Sequence, residues 1–493
     1  MSICWGYSPK IEKSIPLGDL AVEQYLRIAK QAMTNLGWSL SHISERGIIA
    51  YTPISLQSYS EEIALRFDGN FVVFKSECVG IQMLFNDYGK NAQNLARFIN
   101  EFGYAKVQVD EVWDGNQDSI VIEDSDYFEK TPLAGKNKIK NVFYLLIPQE
   151  NYVATPIFIF LNIAYYVSYS LFMAIFYRHL VLAKFLDPEL LGYYIGANSR
   201  EFVLNGQYWR LITHQFSHLS FFHLFFNMYA LAYIGLMVEY KLGFKKYVST
   251  YIISGVCGGL VSLMFHDSGF MTGASGAIMG LFGAFLALLL GKAFERNAAK
   301  ALLTSTLAVL SIMLIGGALK KNVDNAAHLG GLISGFISSY LLYNGKFLSS
   351  KLRYAIVISL VLVFAVVVLK YTPKIQTKEF AALEKKYKQN WAKYTAVYKI
   401  PHDLPTGRKL TIVQEKGIDV WKENDLLVKQ MLALKLTKQQ RFKAEFHAKV
   451  VEIQSKIVVL FYKECAESTK YYRREIRELT RELNALRVET ERD

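Results

Sequence analysis

The stretch MTGASGAIMG, residues 271–280, places a single serine between an alanine and a glycine at the start of an apolar run. A serine hydroxyl is a weak nucleophile until a neighbouring base removes its proton. Imidazole is the side chain best suited to that task near neutral pH, and His328 stands in NAAHLGGLISGF, at the start of another apolar run. The two segments therefore predict a catalytic pair in which Ser275 is the nucleophile and His328 is the general base.

Two further polar side chains could stabilise the oxyanion that forms when a serine attacks a carbonyl. His223 and Asn227 are four residues apart in FFHLFFNMYALAYIG, so a helix places them on one face. Removing one hydrogen-bond donor from an oxyanion typically costs about 2.7 to 4 kcal/mol. Backbone amides at the start of the helix that begins near Ser275 would add to this stabilisation.

Less specific interpretations exist for each of these residues. A serine in a Gly/Ala-rich helix is more often a packing residue than a nucleophile, and a histidine at a helix end is usually an interfacial group. A metal site is the competing hypothesis, since His214 and His218 are four residues apart, but HQFSH lacks the glutamate of the HExxH motif. The four cysteines are scattered along the chain, and we predict neither a cofactor nor a metal.

The elements that must position these residues are apolar segments. The chain of 493 residues is 52% hydrophobic and 14% aromatic, which is more than a soluble protein of this size usually has. From residue 151 onward the sequence contains apolar blocks long enough to cross about 30 Å of hydrocarbon. Seven of them are predicted as membrane spans: 153–176, 221–239, 246–265, 274–291, 299–318, 325–343 and 354–370.

Glycine spacing predicts which spans pack closely. Gly276 and Gly280 form a GxxxG pattern in the fourth span, and Gly331 and Gly335 form another in the sixth. Such spacing lets two helix backbones approach each other closely in lipid. His328 shares a helix face with both glycines of the sixth span, so close packing of the two spans would bring it toward Ser275.

Basic residues orient the spans, because positively charged loops are retained on the cytoplasmic side. Four clusters fall in alternate loops: Lys136, Lys138 and Lys140; Lys241, Lys245 and Lys246; Lys292, Arg296 and Lys300; and Lys346, Lys351 and Arg353. The opposite loops carry fewer, with Lys320 and Lys321 after the fifth span. The first residues lack the pattern of a cleavable signal peptide. We therefore predict a cytoplasmic N-terminus and an outer C-terminus, with Ser275 and His328 near the outer ends of their spans.

Two regions lie outside the spans. Residues 1–140 combine helical patterns with alternating runs, among them a hairpin signal around the Asp-Gly-Asn turn at 68–70, which indicates a soluble α+β domain. Residues 371–493 have a helical pattern, broken by prolines near 400–407, and carry +9 of the chain's formal net charge of +13. That charge could favour acidic lipid headgroups, whereas nucleic-acid binding has no aromatic and basic motif to support it.

The segment 196–345 resembles the rhomboid family of intramembrane serine proteases. The stretch GANSREFVLNGQYWRLITHQFSHLSFFHLFFNMYALAYIG is similar to the first loop and second helix of that family. GASG at 273–276 matches the GxSG nucleophile motif, and AAHLGG at 326–331 matches the helix that supplies the general base. Each motif alone is modest, but three in this order on a chain with several membrane spans are specific.

The resemblance implies an all-α polytopic membrane protein with a six-helix core, to which the seventh span is a C-terminal addition. The predicted domains are 1–140 (α+β, cytoplasmic), 150–345 (protease core), 354–370 (seventh transmembrane helix) and 371–493 (helical and basic). We expect it in a bacterial inner or cell membrane, with transmembrane proteins and lipids as its partners.

For the site, the resemblance implies a Ser275–His328 pair without a third acid and an oxyanion site from His223, Asn227 and the Ser275 amide. It also implies cleavage of transmembrane segments near their outer end. Met279 stands where some family members have a tyrosine that packs on the catalytic histidine. Because hydrolysis needs water, we predict a polar cavity around Ser275, open to the outside and lined by His214 and His218.

Two other functions compete with proteolysis. A catalytically silent rhomboid-like protein would bind transmembrane segments and escort or retain them, but the intact Ser275 and His328 argue against it. A transporter would have polar groups near the bilayer midplane and repeat-like halves, and the sequence has neither pattern. We also expect Trp209 and Arg210 to anchor the first loop at the outer interface, and Glu239 to form an ion pair with basic residues at the cytoplasmic interface.

Overall fold

The structure is a computed structural model that describes residues 9–55, 58–80, 86–111, 145–182, 194–267, 269–320, 323–345, 347–401 and 403–490. Five lysines that were used to orient the spans lie outside the described residues: Lys136, Lys138, Lys140, Lys321 and Lys346. The chain divides into two compact units. The first comprises residues 1–199, 206–265 and 270–369, and the second comprises 200–205, 266–269 and 370–493.

An antiparallel sheet and two helices form the N-terminal part of the first unit. They are β1 (Lys10–Pro16), α1 (Val22–Asn35), β2 (Ser39–Ser44), β3 (Gly47–Tyr51), β4 (Glu61–Asp68), β5 (Phe71–Cys78) and α2 (Lys90–Glu111). The strand order is β1-β5-β4-β3-β2. Asp68 pairs with Phe71, which confirms the predicted hairpin. Both helices pack on one sheet face, where Tyr25, Phe74 and Phe98 are buried.

Seven apolar helices follow in the chain, and each coincides with a predicted span. The helices are α3 (Ala154–Leu182), α6 (Phe221–Leu242), α7 (Phe244–Phe265), α8 (Ser275–Leu290), α9 (Arg296–Ala318), α10 (Asn325–Asn344) and α11 (Ser350–Tyr371), and two short helices, α4 (Arg200–Leu204) and α5 (Arg210–Thr213), precede α6. Among the described helices, α3, α6, α7, α9 and α11 are long and apolar enough to cross a membrane, and α8 is a shorter apolar helix. The count of six core helices plus one stays a proposal.

Helix α8 lies at the centre of this bundle, in contact with α6, α7, α9 and α10. Its glycines meet α10 backbone to backbone. A Cβ atom placed on Gly331 would lie 2.0 Å from the carbonyl oxygen of Gly276, and one on Gly335 would lie 2.1 Å from that of Gly280. This geometry confirms the close packing predicted from the two GxxxG patterns.

Part of the second face of the N-terminal sheet packs against the helix bundle. Ile49, Tyr51 and Val79 belong to the same buried cluster as residues of α6, α8 and α9. The Tyr233 hydroxyl of α6 donates a 3.2 Å hydrogen bond to the carbonyl oxygen of Gly80. A Cβ on Gly80 would lie 3.0 Å from Cβ of Ser305 in α9. The N-terminal sheet domain therefore contacts two helices that flank α8.

Glu239, near the end of α6, shows that one prediction is wrong. Its carboxylate accepts hydrogen bonds from the backbone amides of Val153, Ala154 and Thr155 at 2.7, 2.6 and 2.9 Å, and from the Thr155 hydroxyl at 2.7 Å. The first amides of a helix have no partner inside the helix and form the positive end of its dipole. Glu239 therefore satisfies the start of α3, and within the described part of the chain its carboxylate forms no ion pair with a basic side chain.

The second unit is mainly a bundle of helices. These are α12 (Thr377–Tyr394), α13 (Thr406–Val413), α14 (Asp419–Ala433), α15 (Lys438–Ala466) and α16 (Arg473–Thr490). The end of α12 and the start of α13 confirm the break predicted near 400–407. Its core includes Tyr394 and the fully buried Trp421, whose rings meet edge to face with centroids 5.1 Å apart. Residues 370–493 thus have a hydrophobic core of their own.

Candidate active site

Ser275 is the first residue of α8, and the loop before it requires glycine. Gly273 has a φ of +109°, which side chains of L-residues rarely permit. A Cβ there would lie 2.6 Å from Cε1 of His223. The Gly273 amide donates to the carbonyl oxygen of His214 at 2.9 Å. The backbone that leads into Ser275 is therefore held directly against the His223 ring.

His223 and Asn227 lie on the face of α6 that meets this loop. Nδ2 of Asn227 donates to the carbonyl oxygen of His223 at 2.9 Å, and it would lie 3.6 Å from a Cβ on Gly273. The amides of the first α8 residues, Ser275 among them, have no carbonyl within the helix to bond to. Two side-chain donors and the amide end of α8 thus meet beside Ser275, which is the set that an oxyanion site needs.

His328 lies one turn inside α10, on the side that contacts α8. The carbonyl oxygen of Ala327 is 3.6 Å from the position a Cβ would take on Gly276. Gly331, one turn after His328 on the same helix face, contacts the Gly276 backbone. His328 is therefore level with Ser275, and its side chain is 7% exposed. Among the hydrogen bonds of the described residues there is none between these two side chains, so their catalytic pairing stays a proposal.

His214 and His218 were expected to line an open cavity, and for these two residues the prediction is wrong. Their side chains are 0% and 1% exposed. Burial lowers the pKa of His214 to about 4, and burial together with the nearby His223 lowers the pKa of His218 to about 3. Both imidazoles are neutral near pH 7, and the His218 ring lies 5.0 Å from the His223 ring. Both residues hold the loop before Ser275, because the His214 carbonyl oxygen accepts from the Gly273 amide and Nε2 of His218 accepts from the Ala274 amide.

Arg210 fixes the first loop through internal contacts, and its place at the outer membrane interface stays a prediction. Its buried guanidinium donates to the carbonyl oxygen of Ala197 at 2.9 Å and lies 4.5 Å from the centre of the half-exposed Trp209 ring. Next to Ala197, Asn198 exchanges backbone hydrogen bonds of 2.9 and 2.8 Å with Met271. Arg210 thereby holds the Ala197–Asn198 segment, which is hydrogen-bonded to Met271 in the loop before Ser275.

Sequence reasoning missed Asp324, the residue before α10. Its Oδ1 accepts from the Ala327 amide at 2.9 Å, and its Oδ2 accepts from the Ser262 hydroxyl of α7. The signal was an aspartate just before an apolar run, which is a preferred helix N-cap. Asp324 joins the start of the helix that carries His328 to α7.

Two further features lie apart from these contacts. Met279, one turn after Ser275, is buried in the core of the bundle. A cavity of about 500 Å³ lies on the N-terminal sheet domain, where Lys10, Glu62 and Lys75 are among its lining residues. Among the described residues, no group of three or more His, Cys, Asp or Glu side chains has an arrangement that could hold a metal ion.

Comparison with known proteins assigns this region to a family. The model of the Rhomboid domain matches residues 205–345. RHOMBOID-like protein 5 of Arabidopsis thaliana is 38% identical over 151 residues, which are 30% of this chain and 48% of that protein. Rhomboid protease GluP of Bacillus subtilis is 35% identical over 146 residues, 29% of this chain and 28% of that protein.

A shorter relative is covered more fully. The putative rhomboid protease YdcA of Bacillus subtilis is 32% identical over 158 residues, which are 31% of this chain and 74% of that protein. By contrast, the chain spans about half or less of the length of the Arabidopsis RHOMBOID-like proteins 5, 1 and 7. The matched region holds Ser275, His328, His223 and Asn227 on a bundle of apolar helices. This chain is an integral, multi-pass membrane protein that belongs to the rhomboid family.

Proposed function

We propose that this protein is an intramembrane serine endopeptidase that cleaves transmembrane segments of other membrane proteins near their outer end. The observation that carries the proposal is the contact of the Gly273–Ser275 loop with His223, together with the backbone contact of Gly276 and Gly331. These contacts put a serine, the His223 and His328 imidazoles and unpaired helix amides at one end of the bundle. The protease names of its Bacillus subtilis relatives support the same activity.

In the proposed reaction His328 removes the proton from Oγ of Ser275, which attacks the scissile carbonyl. The Ser275 amide, His223 and Asn227 donate hydrogen bonds to the resulting oxyanion. His328 then gives its proton to the leaving amine, and a water activated by the same imidazole hydrolyses the acyl-enzyme. Ser275 is half-buried, so part of this residue is exposed outside the core of the bundle.

The proposed substrate must present an extended backbone to Ser275. In a membrane helix each carbonyl is bonded within the segment, so it is shielded from attack. Residues that weaken helices should therefore favour cleavage. The predicted orientation, the six-plus-one helix count and the domain limits at 1–140, 150–345, 354–370 and 371–493 belong to the same proposal, with transmembrane proteins and membrane lipids as partners.

The test uses the purified full chain, a fluorophosphonate probe and a model transmembrane substrate. Ser275→Ala and His328→Ala should abolish labelling and cleavage. Ser338→Ala is the matched control, because Ser338 is a buried serine of α10 whose hydroxyl donates to the Gly335 carbonyl oxygen at 3.2 Å. It should keep both activities. Cleavage that survives in Ser275→Ala would overturn the proposal, and an unreactive wild type that still binds the substrate would support a silent binding protein.

A further inference from the structure

Asp324 is the side chain that fixes the start of α10. One carboxylate oxygen accepts from the Ala327 amide at 2.9 Å, and the other accepts from the Ser262 hydroxyl of α7. The backbone carbonyl oxygen of Asp324 accepts from the His328 amide at 3.1 Å. The first turn of α10, which carries His328, is thus joined to α7 through one residue.

One nitrogen of the His328 imidazole lacks a hydrogen bond that would orient the ring. Its Nδ1 atom is buried and has no hydrogen-bond partner in the described part of the chain. Met279, the residue one turn after Ser275, has no group that can donate a hydrogen bond to the ring. Asp324 precedes His328 by four residues as the N-cap of the same helix, and its carboxylate acts electrostatically on the imidazole.

The titratable groups around His328 come from its own helix and from neighbouring elements, and Asp324 is the carboxylate that acts on it. Between residues 270 and 345 the sequence has two carboxylates, Glu295 and Asp324, and Glu295 caps the opposite end of α9. The titratable groups that act on His328 are Asp324 at the start of its own helix and His223 of α6, with the neutral His214 and His218 behind the loop, whereas α8 contains no titratable side chain.

We propose that Asp324 is a positioning residue for His328: it holds the first turn of α10 in place, and its negative charge stabilises the imidazolium that forms when His328 takes the proton from Ser275. The inference rests on the proposed function and extends it, because the Ser275–His328 pair then has a supporting carboxylate on the base's own helix. A negative charge in a partly buried site acts more strongly on an imidazolium than it would in water.

Three variants separate the effect of the Asp324 charge from the effect of the hydrogen bonds that hold the start of α10. Asp324→Asn removes the charge but keeps the shape of the side chain and a good N-cap. Asp324→Ala removes both the charge and the N-cap. Ser262→Ala removes only the hydrogen bond that joins Asp324 to α7. For Asp324→Asn we expect a kcat about tenfold lower with KM unchanged. Without the carboxylate, His328 releases its proton more readily, so the acid limb of the pH profile of kcat should move to lower pH by about one unit.

The controls distinguish this inference from the proposed function. Ser262→Ala should keep the wild-type pH profile, and thermal unfolding of Asp324→Asn should show that it folds; if Asp324→Ala fails to fold, the asparagine variant alone decides. Ser275-dependent cleavage with wild-type kcat and pH profile in Asp324→Asn would overturn the inference and leave the proposed function intact. Cleavage that persists in Ser275→Ala would overturn both.

Discussion

The backbone contact between α8 and α10 predicts a large effect from one methyl group. In Gly331→Ala the new Cβ would lie 2.0 Å from the Gly276 carbonyl oxygen, whereas an ordinary contact begins at 3.4 Å. The two helices must therefore separate by about 1.4 Å at this level, because backbone atoms cannot turn aside as a side chain can. Overpacking of this kind typically costs about 1 to 3 kcal/mol of stability.

The same displacement should reach the reacting groups. Gly331 is one turn from His328, so separation of the helices moves the imidazole away from Ser275. A misplacement of about 1 Å can lower a reaction rate by about 10²-fold. We expect Gly331→Ala to lower kcat by that order and to lower the thermal unfolding temperature. Gly335→Ala, one turn farther from the site, should destabilise the protein similarly and impair cleavage less.

The assay measures cleavage of a model transmembrane substrate and thermal unfolding of each variant in the same detergent. Gly316→Ala is the matched control, since Gly316 lies in α9 and a Cβ there would meet nothing within 4 Å. A glycine-to-alanine change in an uncrowded helix should be neutral or stabilise by up to about 1 kcal/mol. If Gly331→Ala behaved like Gly316→Ala, the inferred contact between the two backbones would be wrong.

Three further predictions concern the surroundings of the site. Glu239→Ala leaves the three amides at the start of α3 without their acceptor and should cost about 3 to 5 kcal/mol, measured by thermal unfolding; an unchanged unfolding temperature would contradict the capping role. Gly273→Ala combines a φ of +109° with a clash against the His223 ring, so it should abolish cleavage, and full activity would refute the loop geometry. Because burial lowers the pKa of His214 from 6.5 to about 4, the unfolded chain binds more protons between these values. The contribution of His214 to the free energy of unfolding should therefore be constant above about pH 6.5 and fall by roughly 3 kcal/mol toward pH 4. Unfolding measured from pH 8 to 5 should show a smaller fall in His214→Asn.

Most of the helical framework was predictable from local patterns. Apolar blocks of spanning length fell on the seven helices, and the GxxxG patterns located the contact of α8 with α10, because both signals depend on neighbouring residues in the chain. The Ser275 and His328 segments were found in the same way, since each begins an apolar run. Their common depth followed from counting basic residues in the loops.

Contacts between distant segments could not be predicted in this way. Nothing near Glu239 in the sequence shows that the start of α3 lies over its carboxylate. His214 and His218 looked like cavity residues because they are polar, but the loop folds inward and buries them. One long-range contact left a signal that the prediction of alternating runs missed, since GIIAY in β3 is apolar throughout, as expected for a strand that is buried on both faces.

The contact of Gly80 with Tyr233 and Ser305 has a consequence for how the N-terminal region can vary. A residue larger than glycine at position 80 would push against Ser305, and loss of the region would remove the Gly80 carbonyl oxygen that accepts a hydrogen bond from the Tyr233 hydroxyl. The sheet domain therefore serves as an outer layer of the helix bundle. Its exchange for an unrelated domain would demand matching changes on α6 and α9.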